Sequence, residues 1–453
     1  MKLFKQKIFS FKIPKRGLYY SLILLVVPFF GILFLAQEYS TDIKNQIAQS
    51  VQPNLNLTSN QKKEDWEKEL DKEIDDQDSK KKASVDSRGT NSPIQLNNQL
   101  NRSAQNLMMD VSVAVDIVGE YDKNKPKTTD NKLDIRTAEF GFTGSVDQWL
   151  RGNFLAAAHS ENGTYYFEVH EAWVQLPFLP YNISLKAGSM FLDIGRLNRI
   201  HAHDRPFTKT PIVHEKLIGW ESAMDTGAEM SILLPWSFLT QELVIGSTNG
   251  KKWGHAHSEG IKKNNPMFYT HLKNFYYFGN NIGSQFGFSG VRYETDQNNK
   301  NERYLYGADF TVRWNRSNLR EFLFMTEYWL SVEKFATTVD YIKYTSTSTP
   351  DAKQWGYYAF LDYKFHQLWS IGYRYDFFTD KNSKNEQGLG ALNFIEANSI
   401  QLTFKTSEFA YFRGSLERRY IRDESKSENT DMVDQRIYVQ TVFILGSHPA
   451  HAY

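Results

Sequence analysis

Residues 369–377, Trp-Ser-Ile-Gly-Tyr-Arg-Tyr-Asp-Phe, decide the fold. Trp369, Ile371, Tyr373, Tyr375 and Phe377 alternate with Ser370, Gly372, Arg374 and Asp376. Successive side chains of a β-strand point to opposite faces, so the segment carries one aromatic face and one polar, charged face. The same period of two recurs at 110–120 (DVSVAVDIVGE), at 304–314 (YLYGADFTVRW) and at 436–445 (RIYVQTVFIL). A soluble sandwich also alternates, but its buried faces are mostly aliphatic. Here Tyr, Trp and Phe crowd the apolar face and the strand ends, as rings do where strands cross a membrane.

Spacing supports the same conclusion. About sixteen such segments (fourteen to eighteen as bounds), each about nine to fourteen residues long, fit between residues 107 and 445. That is long enough for a tilted membrane strand. Long connections at about 121–131, 191–225, 249–266, 295–302, 333–353, 379–391 and 422–433 alternate with tight ones, for example at 144–146, 177–181 and 235–237. A brief turn at 160–163 is the exception, falling where a long loop is due. Short turns on one side and long loops on the other are the wiring of outer-membrane barrels. The expected fold is therefore all-β, a transmembrane antiparallel β-barrel in the outer membrane, with lipid as its surroundings.

Outside the barrel the pattern changes. Six basic residues from Lys2 to Arg16 precede an apolar run from Leu18 to Ala36. This is the order of a secretory signal, so residues 1–36 read as a signal peptide or signal anchor. The basic flank favours cleavage, whereas the run's length and Phe34 near the cut favour an anchor. Residues 37–106 are a Lys-, Glu-, Asp-, Asn- and Gln-rich stretch, expected as a disordered periplasmic linker because it cannot bury enough surface to offset chain entropy. Trp66, Leu70 and Ile74 mark one short amphipathic helix within it. Residues 446–453 form a C-terminal tail, since Pro449 cannot continue a strand ladder.

Composition closes other routes. The chain has no cysteine, which removes thiol catalysis, disulfides and Cys-based zinc sites. A net charge of +1 and the lack of a basic aromatic stripe exclude nucleic acid as a partner. No Gly-x-Ser-x-Gly elbow occurs, so an enzyme is not expected. A receptor with a globular plug would need a 22-stranded barrel and a folded N-terminal domain, which the linker does not offer.

The connection from Phe191 to Asp225 is too long to be an ordinary loop, and structureless stretches of this kind are usually functional. By parity it is the third long loop, joining strands five and six. The runs Phe140-GFTGSVD, Phe167-EVHEA-Trp173, Leu185-Lys-Ala-Gly188, Gly195-RLNRIHAH-Asp204 and Asp225-TGAEM-Ser231, with the tail Gly446-SHPA-His451, resemble porin-type outer-membrane proteins. They are similar to the phosphate-selective porin O/P type, some relatives of which carry zinc-regulation labels. The resemblance implies a passive porin for small hydrophilic solutes or ions, and permits a homo-oligomer such as a trimer. No basic ladder of the phosphate type is present, so that specificity is not carried over.

Within this frame Arg196, Arg199, His201, His203, Asp204 and Arg205 are the expected pore constriction. Asp309, Arg313, Asp362, Arg374, Asp376, Arg413, Arg419 and Arg436 are the expected lumen charges, mixed in sign, so no ion selectivity follows. His201-x-His203 with Asp204 does not complete a His-x-His-x-Asp-His hydrolase pattern, because Arg205 and Pro206 follow. A second pair, His255-x-His257, lies in the next long loop, and imidazoles with carboxylates suit zinc. The two pairs are thus a candidate zinc site at the outer mouth, against the plain reading of solvated loop residues and no cofactor. Metal-linked transport or reception is one alternative to the porin reading; a structural surface barrel or a barrel hydrolase is another.

Overall fold

The computed structural model describes residues 109–123, 132–161, 164–236, 239–250, 253, 265–295, 301–317, 320–335, 338–340, 345–347, 351–380, 393–423 and 431–446. The expected signal segment, linker and C-terminal tail beyond Gly446 lie outside these residues, as do His255 and His257.

The strands are β1 (Met109–Asp122), β2 (Lys132–Ser145), β3 (Arg151–Glu161), β4 (Thr164–Leu179), β5 (Ile183–Phe191), β6 (Met224–Leu234), β7 (Thr240–Thr248), β8 (Met267–Phe278) and β9 (Ile282–Glu294). They continue with β10 (Glu302–Ser317), β11 (Arg320–Lys334), β12 (Thr338–Asp340), β13 (Thr345–Thr347), β14 (Ala352–His366), β15 (Trp369–Asp380), β16 (Asn393–Lys405), β17 (Ala410–Asp423) and β18 (Met432–Gly446). Sixteen of them close into one antiparallel barrel, while β12 and β13 form a separate hairpin in the connection from β11 to β14. Closure is made by β1 on β18, from Ser112 opposite Gly446 to Asp122 opposite Arg436. With no edge left, each of the sixteen barrel strands has a partner on both sides, which is what a backbone in hydrocarbon requires.

The faces sort as the alternation predicts. On β17, Phe412 and Leu416 are exposed, whereas Arg413, Ser415, Glu417 and Arg419 between and beyond them are buried. Phe288, Ile400 and Val439 likewise face out from mid-strand. Trp149, Phe178, Tyr181, Trp236, Tyr277, Phe278, Phe365 and Phe409 are all exposed and all sit at the short-turn ends. Such a ring girdle beneath an apolar band marks the lipid interface. The chain is an outer-membrane β-barrel.

One expectation needs correction. The inside is not polar throughout. Tyr269, Val291, Leu305, Leu323, Met325, Trp329, Tyr358, Phe360 and Phe378 point inward from β8 to β15 and are buried. Their partner is the connection from β5 to β6, which turns into the barrel and brings Leu192, Ile194, Leu197, Ile200, Phe207, Ile212, Val213, Leu217 and Ile218 against them. The alternation holds, but the inner face is apolar wherever the loop covers it.

Two β-bulges shape the wall opposite β11. The β1–β2 register shifts so that Asp116 faces Thr137 and Ile117 faces Ile135, leaving Arg136 as the extra residue. The β3–β4 register shifts between Leu155 and Ala156, leaving His170 as the extra residue. A bulge re-aims a side chain relative to the pleat. Both extra residues reach the loop, as shown below.

A membrane face makes a depth-dependent prediction. Phe288→Arg, at mid-strand, should lower unfolding free energy in lipid vesicles by about 2–4 kcal/mol, whereas Tyr277→Arg at the rim should cost about 0–1 kcal/mol. Urea titration of the two variants checks this; equal costs would argue against a bilayer around the barrel.

Candidate functional site

The site is built by the inward loop, residues 192–223, and the walls it touches. Its backbone is irregular apart from a short helix, α1 (Ile212–Leu217), which follows Pro211. Buried peptide groups need partners, and here the wall supplies them. Leu197 N donates to Glu327 Oε1 at 2.9 Å, Gly195 N to Ser289 Oγ at 2.8 Å and Ile212 N to Asp376 Oδ1 at 3.0 Å. In the other direction Gln401 Nε2 donates to Pro206 O at 2.6 Å and Arg413 Nη1 to Arg205 O at 3.2 Å. Arg374 Nη1 donates to Lys209 O, and Tyr411 OH to His203 O. Arg136, the bulge residue, donates to Thr208 O at 2.5 Å, to Ala202 O at 3.2 Å and to Asp116.

Glu327 is the busiest of these anchors. Besides Leu197 N it accepts from Trp329 Nε1 and Tyr358 OH at 3.0 Å each, and pairs with His214 Nε2 of α1 at 3.0 Å. Gly195 makes the approach feasible. Its φ of 57° lies in the left-handed region, and a Cβ there would collide with Glu327 Oε2 and the Trp329 ring.

The residues expected at the constriction divide into three groups. Arg199 is open, with its side chain 49% exposed, and pairs with Asp193 at 2.9 Å; Arg196 is half-buried and donates to Gln285 Oε1 at 2.9 Å. Burial works to raise the Asp193 carboxyl, but Lys273, Arg199 and His271 outweigh it and hold it well below the usual carboxylate range. Arg205 is buried inside the loop, where it donates to Ile200 O, Thr210 Oγ1, Trp220 O and Ser222 Oγ at 2.9–3.1 Å. It braces the loop from within and does not face open lumen. Burial pulls its guanidinium down to about 10, still well above neutral pH.

His201 and His203 are the third group, buried at 5% and 0% exposure with Asp204 half-buried beside them. They face Glu139 of β2, with His201 Nδ1 3.5 Å from Oε2 and His203 Nδ1 3.5 Å from Oε1. They therefore sit inside the barrel against its wall, not at an outer mouth. The same place receives His159 of β3, Glu168 and His170 of β4, and Glu221 of the loop. Sequence reasoning missed these. Their signal was present in Phe167-Glu-Val-His-Glu-Ala-Trp173, where Glu168 and His170 share one strand face, but the bulge and the partner strands were not legible.

The expected lumen charges act on the loop as much as on the lumen. Arg374 pairs with Asp376 at 2.7 Å and with Glu417 at 3.3 Å; Arg419 pairs with Glu417 at 2.5 Å and reaches Glu215 of α1 at 3.9 Å. Asp309 meets His271 at 3.1 Å, Arg313 meets Glu321 at 2.9 Å, and Asp362 accepts from Ser370 at 3.2 Å. Arg436 stands beyond the loop with Asp434 and Asp122 at 2.6 and 3.3 Å.

No family model matches the chain. An uncharacterised protein of Aquifex aeolicus is 26% identical over 346 residues, covering 71% of this chain and 70% of that one. Among solved structures, OmpT, an outer-membrane protein of Vibrio cholerae, is 8% identical with a TM-score of 0.49, covering 74% of this chain and 97% of that one. An anion-selective porin from Comamonas acidovorans is 10% identical with a TM-score of 0.49, covering 75% and 99%. OmpF of Salmonella typhi is 13% identical with a TM-score of 0.48, covering 75% and 98%.

Removing the main anchor tests the site's construction. Glu327→Ala leaves four buried donors without their acceptor, and breaking such a set costs about 3–5 kcal/mol. Amide exchange across residues 192–223 should rise by roughly two to three orders of magnitude while exchange in the strands stays slow. Mass-spectrometric hydrogen exchange on the folded barrel reads this; unchanged loop exchange would mean that Glu327 does not hold the loop.

Proposed function

We propose that this protein is a passive outer-membrane channel for small hydrophilic solutes or ions, its lumen narrowed by residues 191–225. One observation carries the reading: a polar, charged loop lies inside a sixteen-stranded barrel and bonds to wall strands around the circumference, from β2 through β9, β11, β15, β16 and β17. A barrel of that size encloses a lumen wider than its own side chains can fill. Irregular backbone at membrane depth is tolerated where it lines such a cavity, not where it meets lipid.

The lumen on the short-turn side of the loop is lined by polar side chains. Thr143 Oγ1 donates to Asn153 Oδ1 at 2.5 Å, Asn153 Nδ2 to Glu171 Oε2 at 2.9 Å, and Gln241 Nε2 to Asn274 Oδ1 at 2.5 Å. Gln175, Ser184 and Ser231 form a further polar ladder between them. A solute moving through would leave this polar vestibule and pass the exposed loop cations Arg199 and Lys216. Because Arg205 and the two loop imidazoles are buried, Arg199 with Arg196 is the filter pair in this reading. Outer-membrane lipid surrounds the barrel, and cross-linking in vesicles decides between a lone channel and a homotrimer.

Single-channel recording in planar bilayers is the test. The full chain should conduct in small steps, deletion of residues 199–216 should raise the conductance several-fold, and Arg199→Glu should shift the reversal potential towards cation preference. Unchanged conductance after the deletion would place the narrowing elsewhere; no conductance in either protein would overturn the channel reading.

A further inference from the structure

The cluster of imidazoles and carboxylates between the loop and strands β2 to β4 is not needed to narrow a pore. Its geometry has its own logic, which begins with a tautomer. His159 Nδ1 lies 3.3 Å from Arg136 O, an acceptor only, so Nδ1 carries a proton, and in the neutral ring Nε2 then has the lone pair. His170 Nε2 stands 2.7 Å from that lone pair, a hydrogen-bond distance, so His170 donates there. A neutral His170 then turns the lone pair of Nδ1 towards two carboxylates, Glu139 Oε1 and Glu221 Oε1, each 3.8 Å away. Lone pair against carboxylate is repulsive unless a proton or a metal cation lies between them.

The spacings say which cation. Hydrogen bonds to oxygen run at about 2.7–3.2 Å, and these contacts are longer. Two donor atoms sharing a tetrahedral zinc ion, with bonds of about 2.0–2.2 Å, stand about 3.3–3.6 Å apart. His201 Nδ1 and His203 Nδ1 each lie 3.5 Å from a Glu139 oxygen, and His170 Nδ1 lies 3.8 Å from the nearer one. Donor atoms of Glu139, His170 and His201 all fall within 4.8 Å of one another. Glu139 Oε1 is buried, its imidazole neighbours His203 and His170 stand at the long distances of 3.5 and 3.8 Å, and among the described residues every ion-pair partner of Glu139 is an imidazole.

We propose that Glu139, His170 and His201 bind one divalent first-row transition ion of the zinc class, with His203 and Glu221 placed to complete its coordination. The ion pins the loop at residues 201–203 to β2 and β4. Neutral imidazole with carboxylate is the donor set such ions prefer. His159 is a positioning residue, fixing the His170 tautomer as outer partners of metal-bound histidines do. The other triad of donors, His159, Glu168 and His170, is the weaker choice, because its two imidazole nitrogens stand at hydrogen-bond distance from each other. This inference does not depend on whether solutes pass the lumen.

The test uses the full chain, folded in detergent, stripped with a chelator and titrated with Zn²⁺ or Co²⁺ at neutral pH. One equivalent should bind, and Co²⁺ should give visible bands of a low-coordinate site with histidine nitrogen. His170→Ala and His201→Ala should each weaken binding by more than the roughly 10–100-fold expected for loss of the outer partner in His159→Ala. His255→Ala with His257→Ala should leave binding unchanged. Circular dichroism and gel mobility confirm that each variant is folded, and the wild-type cobalt spectrum stands without any variant. No stoichiometric binding by folded wild type would overturn the proposal. So would binding that survives loss of both His170 and His201, or that disappears only with His255 and His257.

Discussion

A chain segment that enters the middle of a barrel carries its peptide groups with it, and every one must find a partner there. A buried donor or acceptor left without one costs about 1–3 kcal/mol, so a loop of this length could not stay inside on hydrophobic contact alone. The inner wall answers that constraint. Ser289, Glu327 and Asp376 accept from loop amides, while Arg136, Gln401 and Arg413 donate to loop carbonyls. Charges that would otherwise line water are thereby committed to backbone, and this is why Arg374 and Arg413 are almost fully buried inside a structure whose interior ought to be wet.

The same constraint explains where the strands depart from regularity. A perfect ladder could not send both Arg136 and Thr137, or both His170 and Glu171, to the inside, because adjacent residues face opposite ways. The two bulges add one residue each and turn both side chains to the loop. An Arg facing lipid would be costly, so the bulge at Arg136 relieves one penalty and ties its side chain to three partners, Asp116, Thr208 and Ala202.

The barrel was legible because a strand's period is local. Trp369 to Phe377 shows its two faces without any knowledge of its neighbours, and the alternation of loop lengths then gives the strand count and the third-loop position. The site was legible only in outline. His201, His203 and Arg205 stand out in the sequence as charged or titratable, but nothing local says that Arg205 bonds to Ile200 O and Trp220 O within its own loop. Nor does it say that the pair of histidines meets Glu139 from a strand far earlier in the chain. The apolar residues from Leu192 to Ile218 have no strand or helix period, so their role as a core was hidden among the charges. Leu305 falls on the inward face of the 304–314 alternation, but an inward apolar residue makes sense only once its cover is known.

The loop is thus held in two chemically different ways. Towards β11 and β14 it rests on Trp329, Tyr358 and Phe360, where burial is non-directional and insensitive to the ionic content of the solution. Towards β2 and β4 it rests on Arg136 and on imidazoles facing carboxylates, the cluster proposed above to hold a divalent ion. Asymmetric attachment of this kind divides the loop into a fixed half and a conditional half. Residues 212–218, with α1 seated on Glu327 and Asp376, belong to the fixed half. Residues 199–204 belong to the conditional half, and the exposed Arg199 stands at its edge. Any change in the chemistry of the histidine cluster would therefore act first on the stretch that carries the most accessible charge in the lumen.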